Sequence, residues 1–81
     1  MNIELPIAKL VRIAKTKTYL TAREMEILTM CADGLNNKQI ASALYITTDT
    51  VDTHNRSIIG YLEARNMKNA IAIAFRSKLI D

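Results

Sequence analysis

The sequence predicts a small all-α domain, and three observations carry that prediction. Among 81 residues there are two glycines and one proline, too few breakers for a sheet built from hairpins. Apolar residues recur at three- and four-residue spacing in separate blocks. From Leu20 onward, each block follows a Thr or Asn placed to cap a helix. The aromatics are Tyr19, Tyr45, Tyr61 and Phe75, so the core must come from Leu, Ile, Val, Ala and Met. That composition suits helices. An apolar fraction of 49% is ordinary for a folded chain and excludes disorder.

Pro6 can occupy a first helical position, where its missing donor does no harm. Ile7, Leu10, Val11 and Ala14 follow at helical spacing, with Lys9, Arg12 and Lys15 elsewhere on the wheel. An amphipathic helix from Pro6 to Lys15 is expected, then a connector, which makes residues 1–18 an N-terminal appendage. Its simplest role is to cover the core or a dimer seam. Residues 19–81 form the main domain. Thr21 with Glu24 three residues on makes a capping box, and Met25, Ile27, Leu28, Met30, Cys31 and Ala32 follow as an apolar face. Asp33-Gly34 closes that helix, with Gly34 free to turn left-handed.

Asn36 and Gln39 repeat the box, and Ile40, Ala43 and Leu44 form the next apolar face. Tyr45-Ile46 interrupts it. Thr47 caps a longer helix whose buried stripe is Val51, Ile58 and Leu62, with His54 and Asn55 between them. Its other face carries Asp49, Asp52, Thr53 and Arg56. A short helix, a tight turn and a longer helix with a polar leading face have helix-turn-helix geometry, in which the second helix fits a DNA major groove. Asn66 caps the last helix, where Ala70 to Phe75 is apolar on all sides for more than a turn. One face of that run packs on the core. The other is covered either by a second copy of the chain or by the N-terminal helix.

The charge is divided unevenly. Lys9, Arg12, Lys15 and Lys17 against Glu4 give residues 1–19 the whole net +3, while residues 20–81 carry seven bases and seven acids. A nucleic-acid binder normally presents a basic face, so this neutrality counts against DNA binding. The single Cys31 excludes an intrachain disulfide, has no metal-ligand spacing around it, and falls in an apolar pattern that predicts a buried thiol. No apolar run is long enough to span a bilayer, and the first basic residues lie within the apolar pattern rather than ahead of it. The expected compartment is a reducing cytoplasm, without membrane contact or cofactor.

One set of spaced residues carries a family resemblance. It runs Leu20-Thr21-x-Arg23-Glu24, Ile27-Leu28, Gly34-Leu35-x-Asn37-Lys38-x-Ile40-Ala41, Leu44-x-Ile46, Thr50-Val51-x-Thr53-His54, Leu62 and Asn66. This pattern resembles the LuxR/FixJ/GerE-type helix-turn-helix domain over roughly residues 19–80. The resemblance implies a four-helix DNA-binding domain of a bacterial transcription regulator, here with an additional N-terminal helix. Most members attach it to a receiver or ligand-binding module, so a chain of this length resembles the rarer stand-alone members.

Carried over by position, the resemblance implies phosphate contacts from Asn37 and Lys38 at the second helix and from Thr47, Thr48 and Thr50 at the third. It implies base reading by Asp52, Thr53 and Arg56, structural roles for Val51 and His54, and a homodimer seam on the last helix at Ile71, Ala74, Phe75 and Lys78. Three positions depart from the family. Asp52 stands where lysine or glutamate is usual. Glu63 replaces the glycine that ends the third helix, which therefore either runs on toward Ala64 or ends on a strained residue. Gly60 and Tyr61 take places often held by basic residues.

Two functions follow as expectations. The first is a homodimeric, sequence-specific regulator bound to double-stranded DNA in the bacterial nucleoid, with Arg56 the strongest base reader and Arg23 or the N-terminal lysines as added phosphate contacts. The alternative is an interaction module of the same fold that binds and modulates a larger transcription regulator, an idea supported by the acidic residues of the third helix. No constellation of residues supports an enzyme.

Overall fold

A computed structural model of the chain describes residues 19–81, so the expected helix over Pro6–Lys15 and its connector lie outside the described residues. Four helices follow one another: α1 (Ala22–Ala32), α2 (Asn37–Leu44), α3 (Thr48–Leu62) and α4 (Met67–Arg76). No strand occurs among the described residues. The fold is all-α, as the pattern of blocks and caps predicts.

All four helices start in the same way. Thr21, Asn36, Thr47 and Asn66 are extended N-cap residues, and the side chain of each accepts the backbone N–H three residues ahead. In α1 and α2 the box is reciprocal. The Glu24 carboxylate accepts the Thr21 N–H at 2.9 Å, and Gln39 Oε1 accepts the Asn36 N–H at 2.9 Å. Each such cap contributes on the order of 1 kcal/mol.

The helices also end in the same way, which the sequence hides. After each, one residue takes a left-handed conformation: Gly34 (φ 95°), Tyr45 (φ 58°), Glu63 (φ 52°) and Lys78 (φ 60°). The next residue then donates its N–H five positions back. Leu35 bonds to Met30 O, Ile46 to Ala41 O, Ala64 to Ile59 O and Leu79 to Ala74 O, at 2.8–3.1 Å. Leu35, Ile46, Ala64 and Leu79 all pack against the core. This bond and its apolar contact offset the roughly 1–2 kcal/mol that a residue with a Cβ loses in that conformation. Of the two outcomes open at Glu63, the helix ends there on a strained residue.

The core is Ile27 and Leu28 of α1, Ile40 and Ala41 of α2, Val51 and Ile58 of α3, Ala70 and Ala74 of α4, and Ile80 after it. Burying each of the larger aliphatics fully contributes roughly 1.5–3 kcal/mol. α3 packs on all three other helices, whereas α2 and α4 do not approach each other. The central element is thus the helix expected to read DNA, and the others hold it from behind. Two expectations need correction. Ala43 is exposed, and Ala41 takes its place in the core, because α2 turns its Ile40-Ala41-Leu44 edge toward the domain. Ala74 is fully buried within the monomer, so it is not available to a dimer seam. Its neighbours Ile71 and Ile73 are half-buried, and Ala72 is exposed, so the wet face of α4 is narrow.

Candidate nucleic-acid interface

The turn between α2 and α3 spans Tyr45, Ile46 and Thr47. Its sharpness comes from left-handed Tyr45, whose ring is 95% exposed while Ile46 anchors the turn to the core. The turn brings α3 out with its N-terminus in solvent, since Thr47, Thr48, Asp49 and Thr50 are all exposed. Thr47 Oγ1 accepts the Thr50 N–H at 3.1 Å and lies 3.0 Å from Thr50 Oγ1. Both hydroxyls therefore belong to the cap. The N–H groups of Thr48 and Asp49 remain at the open helix end, where a partial positive charge favours an anion. The Asp49 carboxylate in the first turn interacts favourably with the same end.

One turn along, the outward edge of α3 carries the expected base readers. Thr53 is exposed and its hydroxyl donates to Asp49 O at 3.1 Å. Asp52 and Arg56 are not independent. Arg56 Nη2 donates to Asp52 Oδ2 at 2.9 Å, with side chains 78% and 50% exposed respectively. The carboxylate occupies one terminal nitrogen of the guanidinium and holds the rest of the fork toward solvent. Asp52 and Arg56 are thus paired across one turn of α3.

At the start of α2, Lys38 is exposed and Asn37 is half-buried. Asn36, Lys38, Gln39, Ser42 and Ala43 line a shallow open recess of about 410 Å³ on the outer side of this helix. Asn37 does not simply face solvent: its Oδ1 accepts a hydrogen bond from Asn55 Nδ2 at 3.1 Å, across the gap between α2 and α3. This bond brings the first residue of α2 against the middle of α3.

Asn55 is a buried polar residue in the apolar stripe of α3. It is 6% exposed, and its Oδ1 has no hydrogen-bond partner. Its burial follows from spacing, because Val51, Asn55, Ile58 and Leu62 fall four, three and four residues apart on one helical stripe. His54 is half-buried on the flank of that stripe. Arg23 pairs with Glu26 at 3.8 Å on α1. On α4, Phe75 is 43% exposed, Ile71 half-buried and Lys78 exposed. Cys31 is half-buried, and burial pushes its thiol pKa up, away from a reactive thiolate. No helix among the described residues is long and apolar enough to cross a membrane.

Comparison with known proteins adds three findings. A family model described as bacterial regulatory proteins, luxR family, matches residues 18–74. The response regulator protein VraR is 44% identical over 68 residues in Staphylococcus aureus and 48% identical over the same length in Staphylococcus saprophyticus. Each alignment covers 84% of this chain and 32% of the relative. The crystal structure of the response regulator ChrA, from a heme-sensing two-component system, is similar at a TM-score of 0.76 and 40% identity. That match covers 90% of this chain and 36% of ChrA, so the chain spans about a third of the length of the proteins it resembles.

Proposed function

Because this chain belongs to the luxR family of bacterial regulatory proteins, we propose that it is a transcription regulator that binds double-stranded DNA by laying α3 in the major groove. The observation that carries this reading is the outward edge of α3. There a largely exposed guanidinium, Arg56, is steadied by Asp52 at 2.9 Å, one turn beyond an open helix N-terminus. Lys38 and the N-termini of α2 and α3 hold phosphates and set the register without sequence information. Arg56 reads guanine through O6 and N7, and Thr53 reads the neighbouring base edge. The protein acts in the nucleoid as a homodimer, joined through the outer edge of α4 at Ile71, Phe75 and Lys78. Two half-sites one helical turn apart then meet two copies of α3.

A selection of bound fragments from random DNA tests this directly. Arg56→Ala should cost about 1–3 kcal/mol on the selected duplex and relax one position of it. Lys38→Ala should weaken all sequences alike and lower the salt slope by about one. A chain that retains no DNA at low salt refutes the reading. The equal numbers of acids and bases in residues 20–81 favour a second reading, in which the same fold binds a larger regulator. Co-purification with such a regulator, without DNA retention, would support that reading instead.

A further inference from the structure

We propose that the outward face of α4 is a docking surface for the acidic surface of a second protein. The inference does not depend on the DNA-binding reading. The even charge balance of residues 20–81 conceals two opposed parts. Residues 64–80 hold Arg65, Lys68, Arg76 and Lys78 with no acid, a net +4, whereas residues 20–63 hold three bases against six acids, a net −3. All four of these cations are exposed, and none makes a salt bridge among the described residues. The helix arranges them in a row. Ala70 and Ala74 face the core, and Lys68, Ala72 and Arg76 stand two residues away from them, about 200° around the helix. Arg65, just ahead of the Asn66 cap, extends the row. Lys68 and Arg76 are thus about 12 Å apart along one stripe, with exposed Ala72 between them. The stripe runs beside the Ile71 and Phe75 edge without sharing a residue with it.

Folding does not account for the row. Arg76 suits the negative end of α4, but Lys68 lies in the first turn and Arg65 before it, where the helix dipole opposes a cation and no acid offsets it. Nor does this chain supply the complement. Residues 1–19 contain one acid, Glu4, against four bases. The acids of residues 20–81 are scattered over α1, α3 and the C-terminus; Glu24 is buried, and Glu26 and Asp52 are paired with Arg23 and Arg56. A twofold contact between two such stripes would set cation against cation, and a contact between unlike patches of two copies would extend into an open array. The complement is therefore another protein, with carboxylates spaced around a small apolar contact. A phosphate backbone has no use for Ala72, and α4 does not approach α2, where Lys38 is placed for phosphate. A lipid surface needs a broad apolar helix face, and that of α4 is already packed in the core.

The test uses the full chain and, as probe, a synthetic helical peptide with two glutamates eight residues apart and a leucine midway. The same peptide with glutamines is the control. On titration, amide NMR shifts should cluster at residues 65–78, weaken with salt, and be absent with the control. Lys68→Gln combined with Arg76→Gln should raise the peptide dissociation constant about three- to tenfold, the weight of two exposed ion pairs. Lys68→Glu should lose more binding while its melting temperature rises, because an acid suits the first turn of α4. That pairing of effects separates docking from damage to the fold. Arg56→Ala should bind the peptide as the wild type does, whatever it does to DNA binding. Shifts confined to α3 or to residues 1–18, equal binding of the glutamine peptide, or unchanged binding in the double variant would each overturn the proposal. So would a double variant whose salt slope on a random duplex falls by about two, which would make the row a phosphate contact. Retention of the wild type, but not of that variant, on phosphatidylglycerol vesicles would overturn it in favour of a lipid surface.

Discussion

Removing the Asp52 carboxylate should make the protein bind DNA more tightly and choose its sequence less well. The Asp52–Arg56 pair spans one turn of α3 at 2.9 Å, with side chains 50% and 78% exposed. So exposed a pair is worth only about 0.3–0.5 kcal/mol to folding, and Asp52→Ala should melt close to the wild type. On DNA the two consequences have opposite signs. A carboxylate about 8 Å from a phosphate in water is repelled by roughly 0.5 kcal/mol, so its loss should raise affinity for any duplex about twofold. Arg56, no longer held, must be ordered on binding, at a cost of about 0.5–1.5 kcal/mol for a long side chain. That cost falls on the recognised site alone, where it lowers the preference for that site by about two- to tenfold. Fluorescence anisotropy titrations of the selected duplex and of a random duplex, over a salt series, read both quantities. An Asp52→Ala protein whose preference for the selected site is unchanged or improved would refute the supporting role of the carboxylate.

Other predictions concern the backbone, the α4 edge and the charge. Tyr45→Gly should raise stability by about 0.5–1 kcal/mol in urea melts, because it relieves a left-handed residue whose 95% exposed ring contributes no packing. Gly60→Ala should gain a similar amount, since Gly60 lies inside α3 and an added Cβ meets no atom within 4 Å. Phe75→Arg should shift the chain to monomer in a sizing experiment with its helical content intact, because Phe75 is 43% exposed on the outer edge of α4. The salt slope should be shallow, about −1 per protomer, if Lys38 is the cation that neutralises a phosphate. A much steeper slope would show that further cations, such as Arg23 or the lysines of residues 1–18, also meet phosphates.

The helix starts were legible in the sequence and the helix ends were not. A cap at the N-terminus is a side-chain device, and Thr21, Asn36, Thr47 and Asn66 each declare it by residue type and position. A left-handed ending is a backbone device that only glycine advertises. It was legible at Gly34, half-legible at Glu63 through the missing family glycine, and invisible at Tyr45 and Lys78. Periodicity found the stripe of Val51, Ile58 and Leu62 but could not choose between Ala41 and Ala43, since each lies on a helical face with Ile40 and Leu44. The choice is made by where α3 lies, which is tertiary information. The same limit explains Ala74: a run apolar on all sides does not say which alanine faces the core. Polarity also misleads at Asn55, which sits in a buried stripe and is hydrogen-bonded to Asn37, 18 residues away.

On the proposed reading, a DNA-binding surface on a neutral domain must draw its affinity from organisation rather than from charge. Residues 20–81 hold as many acids as bases, so long-range attraction to a duplex is weak. What remains are short-range groups that act only when correctly aimed: helix N–H groups, one amide and one guanidinium. Each is held by a second group. Thr47 and Asn36 cap the helix ends, Asn37 shares a hydrogen bond with Asn55, and Arg56 is paired with Asp52. In a strongly basic domain such supports would be secondary, because charge alone would retain the duplex. Here, losing the Asp52 support should show chiefly as lost preference for the recognised site.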